Sequence, residues 1–164
     1  MSAIANPIAL ALDWTCKAFD ALTVAELYAL LQLRSEVFVV EQNCVFLDLD
    51  GSDAQALHVL GRRAGQLVAS ARCFGPGIKY LEASIGRVVA HPSIRGSAVG
   101  VGQGHALMRQ AICALEARWG KQSIRIGAQM HLDNFYAAHG FVKTGEPYLE
   151  DGIMHVEMLR PPKN

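Results

Sequence analysis

A chain of 164 residues, 51% hydrophobic and 18% charged, has enough apolar content for one domain, residues 1–164, with a buried core. Its 15 basic and 15 acidic residues cancel to a formal net charge of zero. With no basic cluster visible, that balance argues against a nucleic-acid partner. The opening MSAIANPIALALDW has no positively charged leader, and no run approaches the ~18 apolar residues of a membrane span, so a cytoplasmic location is expected. Cys16, Cys44, Cys73 and Cys113 show no C-x-x-C spacing and read as reduced thiols packed as small hydrophobes, with Cys44 the one to follow.

In chain order, Leu10 to Lys17 alternates and contains Trp14 and Thr15, the pattern of a first strand. Thr23-Val-Ala-Glu26 has capping-box spacing, and Leu27, Leu30, Leu31, Arg34 and Phe38 follow at helical intervals, which predicts a helix from about Val24 to Arg34. Val37 to Val40 is apolar, Asn43 and Cys44 break it, and Asp48, Asp50, Gly51 and Asp53 make a polar turn. That turn lacks the closing glutamate of an EF-hand calcium loop. Leu57 to Gly61 and Leu67 to Phe74 read as a hairpin joined through Arg62 to Gln66, and Lys79 to Ser84 as an exposed connection. A β-branched run, Ile85 to Ala90, precedes a helix carrying Leu107, Met108, Ala111, Ile112, Leu115 and Trp119, which Gly120 stops. Ser123 to Ala128 alternates as a strand, His131 to His139 reads as a short helix, and Phe141 to Thr144 and His155 to Leu159 are the last strands. Strands flanking helices, with hairpins at both ends, imply a mixed α/β sheet in one domain.

Between Ala90 and the long helix lies a loop holding Arg95, Gly96, Gly100, Gly102 and Gly104 and no carboxylate. Glycines let the backbone approach a ligand with its N–H groups turned inward, and the helix N-terminus adds partial positive charge. The loop is therefore a candidate cradle for a phosphate or pyrophosphate. It has no P-loop lysine, and its G-x-G-x-G spacing after Pro92 differs from the G-x-G-x-x-G of dinucleotide folds.

The stretch resembles the coenzyme-A pyrophosphate loop of the GNAT superfamily of N-acetyltransferases, V-x-P-x-x-R-G-x-G-x-G followed by A-L-M. Val89, Pro92, Arg95, Gly96, Ala106, Leu107 and Met108 carry the match. From Arg95 to Leu107 the chain is about four residues longer than that pattern. In one register Arg95, Ala98 and Gly100 fill Arg-x-x-Gly-x-Gly; in the other Gly100, Gly102 and Gly104 take the glycine positions and Val99 replaces the arginine. The first register puts glycines into the opening helical turns at about 1 kcal/mol each relative to alanine, which favours the second, with the helix starting near Gly102 to Gly104. A further segment is similar to the ElaA-like branch: Arg34, Val37, Phe38, Val39, Val40, Glu41, Gln42, Cys44, Asp48, Asp50, Gly51, Asp53 and His58, within a likeness running from Trp14 to Arg160. Gln129-x-His131-x-x-Asn134-x-Tyr136-x-x-x-Gly140-Phe141 resembles the superfamily's second coenzyme-A motif. The resemblance implies a single-domain GNAT fold, a mixed, mostly antiparallel twisted sheet of about six to seven strands flanked by helices.

It also implies acetyl-CoA as co-substrate, no metal, and transfer to a primary amine of a small molecule or polypeptide. Neither nucleic acid nor membrane is an expected partner, and a homodimer is an assembly left open. Such chemistry needs a way to deprotonate an ammonium of pKa about 10 and a proton source for the leaving thiolate. By the resemblance Tyr136 lies near the sulfur and supplies that proton, the plain alternative being a packed helical tyrosine. Glu41, Asp50 and His58 lie on segments implied to face the acceptor and are candidates for the base. Glu41 has the alternative of pairing with Arg34 or Arg87, His58 that of a satisfied core histidine, and water can also take the proton. The backbone of Val88 and Val89 is implied to pair with the pantetheine arm like an added strand. Arg95, Gly96, Gly100, Gly102, Gly104, His105 and Asn134 complete the cofactor site so implied, and Arg34, Glu41, Arg87 and His131 the acceptor site. Cys44 is disfavoured as an acyl carrier because Glu41 nearby would raise its pKa, so direct transfer in a ternary complex is expected. A non-catalytic coenzyme-A sensor or interaction module is the competing reading, and it would have no need of Tyr136 with Glu41, Asp50 and His58.

Overall fold

The computed structural model describes residues 11–96 and 102–163. The first strand, β1, spans Asp13–Ala18. The capping box then forms as its spacing predicts: the Thr23 hydroxyl accepts from the Glu26 N–H, and the Glu26 carboxylate accepts from the Thr23 N–H, opening α1 at Val24–Arg34. After Arg34 the helix widens into π-helical turns over Ser35–Glu41, where the Gln42 and Cys44 N–H groups donate to Val37 and Val39, five residues back.

The remaining elements are β2 (Leu57–Arg63), β3 (Gln66–Phe74), β4 (Ala83–Ala90), α2 (Gln103–Trp119), β5 (Ile124–Gln129), α3 (Asp133–Ala137), β6 (Val142–Lys143), β7 (Tyr148–Glu150) and β8 (Ile153–Arg160). They build one sheet of eight strands in the order β1-β2-β3-β4-β5-β8-β6, with β7 also paired to β8. The short β6 and β7 carry the strand count past the expected range. Pairing is antiparallel except between β4 and β5, which run parallel. α2 starts one residue after Gly102, whose φ of 85° suits glycine, so its start falls where the favoured register puts it.

Three expectations differ from the fold. β4 begins at Ala83, within the stretch read as exposed, because Ala83 and Ser84 are buried where β4 meets β5. β7 was not expected; its hairpin with β8 closes through Asp151 and Gly152, both at positive φ, the turn that Asp-Gly favours. His131 to His139 is not one helix but a 3₁₀ turn, Met130–Leu132, followed by the five-residue α3.

The sheet carries one helical layer on each face. Leu107, Met108, Ala111 and Leu115 of α2 are fully buried against Val59, Ala71, Cys73, Ile85 and Ile124. On β3 the Cys73 thiol reaches α2 at the Ala111 carbonyl, while the adjacent Arg72 side chain turns to the opposite face and meets the segment after α1. Leu115→Ala removes a fully buried side chain from the α2 layer and should cost about 2–5 kcal/mol, read as a lower urea midpoint at an unchanged slope.

Candidate active site

The parallel neighbours β4 and β5 pair at Ala83 with Ile124 and Ser84 with Arg125, and then part. A bulge explains the divergence. Ser70 and Arg72 of β3 face Val89 and Gly86, so β4 carries an extra residue there, and Arg87 adopts a φ of 48°, rare for a side-chain-bearing residue. A cleft of about 1220 Å³ opens between the strands. Gly86 to Ala90 form one wall, so backbone N–H and C=O groups on that side of β4 are available to an extended, amide-bearing ligand.

At one end of the cleft stand Gly96, Gly102, Gly104 and His105, at the N-terminus of α2. Gly104 is backed by Phe135: a Cβ there would lie 3.3 Å from the ring. This combination of unhindered backbone and helix N-terminus fits an anionic pyrophosphate. Ala98, Val99 and Gly100, on which the two registers of the loop differ, lie outside the described residues. Arg95 also lines this end, its Nε donating to the Ala90 carbonyl at 2.8 Å.

Tyr136 of α3 lines the cleft with 8% exposure, edge-on to Phe135 and Phe141. Burial pushes its phenol up to about 12, so the hydroxyl stays protonated at neutral pH. Val88, Val89 and His131 line the same cleft. Asn134 is exposed and does not line it.

On the face of the sheet opposite α2, and reaching into the cleft, four cations meet three carboxylates. Arg34 binds Asp48 through Nε at 2.9 Å and Asp53 through Nη1 at 2.7 Å. Arg72 takes Asp50 bidentately, both contacts at 2.8 Å, and reaches Asp53 at 3.2 Å. Arg87 approaches Asp48 Oδ1 at 2.8 Å, an ion pair at hydrogen-bond distance but without hydrogen-bond geometry, and donates to the Asp48 carbonyl at 3.1 Å. Lys79 adds a longer contact to Asp50 at 3.5 Å. Burial raises the Asp53 pKa, but Arg34 and Arg72 outweigh it and hold the carboxyl below its usual range; Arg72 holds Asp50 well below it. The carboxylates of the calcium-loop alternative are thus occupied by arginines.

This arrangement corrects several sequence expectations. Arg34, 1% exposed, does not line the cleft: it is the buried core of the ion network rather than an acceptor-binding residue. His58 is likewise 1% exposed and away from the cleft, its Nε2 hydrogen donated to the Asp53 carbonyl at 2.9 Å. Burial pushes its pKa down, as for a neutral core histidine. Glu41 pairs with neither Arg34 nor Arg87 but clasps Arg95 bidentately, at 2.7 and 2.6 Å, and does not line the cleft. Asp50 does line it, although its oxygens are taken by Arg72 and Lys79.

The roof of the cleft comes from residues after the π-helical turns. The Cys44 thiol donates to the Asp151 carbonyl at 3.2 Å, and Gln129 donates to Gln42 at 3.3 Å. Sequence reasoning missed Arg72, Tyr80, Tyr148 and His155, all of which line the cleft. The available signal was the Asp151-Gly152 turn, which predicts a hairpin and so brings Tyr148 opposite His155. Gly127 shows how closely that hairpin sits, since a Cβ there would lie 2.8 Å from the Tyr148 hydroxyl. Among the described residues no helix is long and apolar enough to cross a membrane, and no cluster of His, Cys, Asp or Glu is arranged to hold a metal ion.

The sheet parts between two parallel strands with a glycine-capped helix at the end of the opening, and the chain that builds it belongs to the GNAT acetyltransferase family: the family described as "Acetyltransferase (GNAT) domain" matches residues 53–160. Within that family the chain is ElaA-like. It is 40% identical to protein ElaA of Escherichia coli K12 over 151 residues, covering 91% of this chain and 96% of that one. The crystal structure of E. coli ElaA superposes with a TM-score of 0.83 over 91% of this chain and 99% of that one. An acyl-CoA N-acyltransferase from Pseudomonas aeruginosa, 45% identical, superposes with a TM-score of 0.84 over the same shares. Acyl transfer from a coenzyme-A thioester is the reaction of this family.

Asp53 joins two buried arginines from different elements. Asp53→Ala should therefore cost about 3–5 kcal/mol, because Arg34 and Arg72 each lose a partner while staying buried. Carboxyl pKa values depressed in the fold contribute stability that is present above the unfolded value near 3.9 and is lost as pH falls through it toward the folded one. Acid unfolding below about pH 4, followed by circular dichroism, should accordingly be shallower in the variant than in the parent.

Proposed function

We propose that the protein is an N-acetyltransferase that moves the acetyl group of acetyl-CoA directly to a primary amine of a small molecule or polypeptide. The observation that carries this reading is the parting of β4 from β5 beside the N-terminus of α2, which makes one continuous cleft with an anion-binding end and an amide-binding wall. Gly102 and Gly104 with the first turn of α2 would hold the pyrophosphate, and the backbone of Val88 and Val89 the pantetheine arm. The thioester would lie where Tyr136 lines the cleft.

Direct transfer requires the acceptor amine and the thioester in the cleft together, which its volume of about 1220 Å³ and its chemically varied lining allow. A phenol with a pKa near 12 is a weaker acid than a thiol of pKa about 8.5, so Tyr136 serves as a hydrogen-bond donor to the charge developing on sulfur rather than as a full proton source. Cys44 is unsuited to carry the acetyl group, being buried and hydrogen-bonded to the roof carbonyl of Asp151. A coenzyme-A sensor would need the anion-binding end alone; the acceptor half, roofed and lined by Arg87, Tyr148 and His155, weighs toward turnover.

The test is an amine panel assayed by release of free thiol from acetyl-CoA, with calorimetry of acetyl-CoA binding alongside. Micromolar binding and thiol release with at least one amine are expected, and no binding would remove the reading. Tyr136→Phe keeps the packing and deletes the donor, so kcat should fall about ten- to a thousand-fold while melting temperature and acetyl-CoA affinity stay near the parent values. An unchanged kcat, in an assay limited by chemistry, would take Tyr136 out of the mechanism.

A further inference from the structure

Acetylation of an alkyl ammonium needs a group that removes a proton, and the acids first considered for the task are engaged elsewhere. Asp50 is held by Arg72, Glu41 by Arg95, and His58 is buried away from the cleft. Three histidines line the cleft, His105, His131 and His155. His105 is engaged with His139 at 2.9 Å, at the α2 end, and His131 lies exposed on the turn into α3.

His155 is held differently. It stands on β8 opposite Gln129 of β5 and Tyr148 of β7, in the acceptor half of the cleft. Its side chain is 13% exposed, and its ring stacks on Tyr148 with centroids 5.8 Å apart. Nδ1 lies 2.8 Å from the Ile153 carbonyl. A carbonyl can only accept, so the neutral ring carries its proton on Nδ1 and presents a bare lone pair at Nε2. Glu150 Oε2 is 3.8 Å from Nε2, too far for a hydrogen bond, so no partner among the described residues occupies that lone pair. A base whose tautomer and orientation are fixed by a backbone acceptor on one nitrogen, leaving the other nitrogen free toward a cleft, has the organisation general-base catalysis requires.

We infer that His155 is the general base of the acetyl transfer, a role that rests on the N-acetyltransferase reading above. Nε2 takes a proton from the acceptor ammonium, and the freed nitrogen lone pair forms the C–N bond at the thioester carbonyl. The C–S bond breaks with its electron pair on sulfur. The proton that the nitrogen sheds on becoming an amide balances the one sulfur takes up, and His155 returns its own to water. The titratable groups against the ring are Glu150 and Tyr148 of β7; Tyr80 and Asp151 line the same cleft, and Glu157 follows two residues farther along β8. Burial raises both phenols, Tyr148 to about 12, so neither titrates near neutrality.

The experiment compares two acceptors at varied pH: the best alkylamine of the thiol-release panel, protonated at neutral pH, and hydroxylamine, already neutral there. His155→Asn keeps an N–H able to reach the Ile153 carbonyl and deletes Nε2; His155→Gln is the second variant. With the alkylamine, kcat should fall about a hundredfold or more and lose its acid limb, while with hydroxylamine it should stay within about threefold. The parent itself should show an acid limb in kcat with the alkylamine. An equal fall with both acceptors, a limb retained in the variants, or a parent without one would overturn the assignment. Calorimetry separates the two levels: acetyl-CoA affinity unchanged in the variants isolates His155, whereas a parent that does not bind acetyl-CoA fails the underlying reading and His155 with it.

Discussion

Three arginines from three elements, Arg34 on α1, Arg72 on β3 and Arg87 on β4, converge on the carboxylates of one short loop, Asp48, Asp50 and Asp53. The loop has no secondary structure of its own beyond a single 3₁₀ turn at Asp53–Gln55. It is these ion pairs, not backbone ladders, that lay it across the sheet. Because Arg34 and Arg72 are buried and bridged through Asp53, neither can be left alone without stranding a charge. One side of the cleft takes its shape from that constraint: Asp50 and Arg87 form part of its lining while being tied to groups behind it.

The other side depends on backbone. Parallel pairing between β4 and β5 lasts for two register positions, and the bulge at Arg87 prevents it from continuing. The unfavourable φ at Arg87 is held in place by the contacts of the same side chain to Asp48. The ion network and the split in the sheet are therefore one feature seen from two sides, with Arg87 the residue common to both.

Much of this was legible beforehand. The capping box at Thr23 and Glu26 gave α1 its start, and the glycine penalty placed the start of α2 beside Gly102, because both are local effects with fixed spacing. Motif likeness put Tyr136 and the β4 backbone on the cleft. What failed was pairing at a distance. Glu41 meets Arg95, 54 residues away, and no periodicity announces which of several arginines a carboxylate will choose. His58 is the second residue of β2 and opens a run, His58 to Gly61, that is buried on both faces of the strand, so its burial follows from the strand's place in the sheet rather than from chemistry. His155 was hidden for the complementary reason: its significance comes from a β7 strand of three residues, too short to show a pattern.

The Glu41–Arg95 clasp and the Arg34–Asp48 pair respond to different surroundings. The first is about two-fifths exposed on both sides, the second almost wholly enclosed. Dissolved ions approach exposed charges freely, with a screening length of about 8 Å at physiological strength, but scarcely reach enclosed ones. Added salt thus loosens the tie between the π-helical segment and the end of β4 while leaving the loop across the sheet fixed. Ionic strength becomes a dial on the Arg95 end of the cleft to which the Arg34 and Asp48 side is nearly deaf.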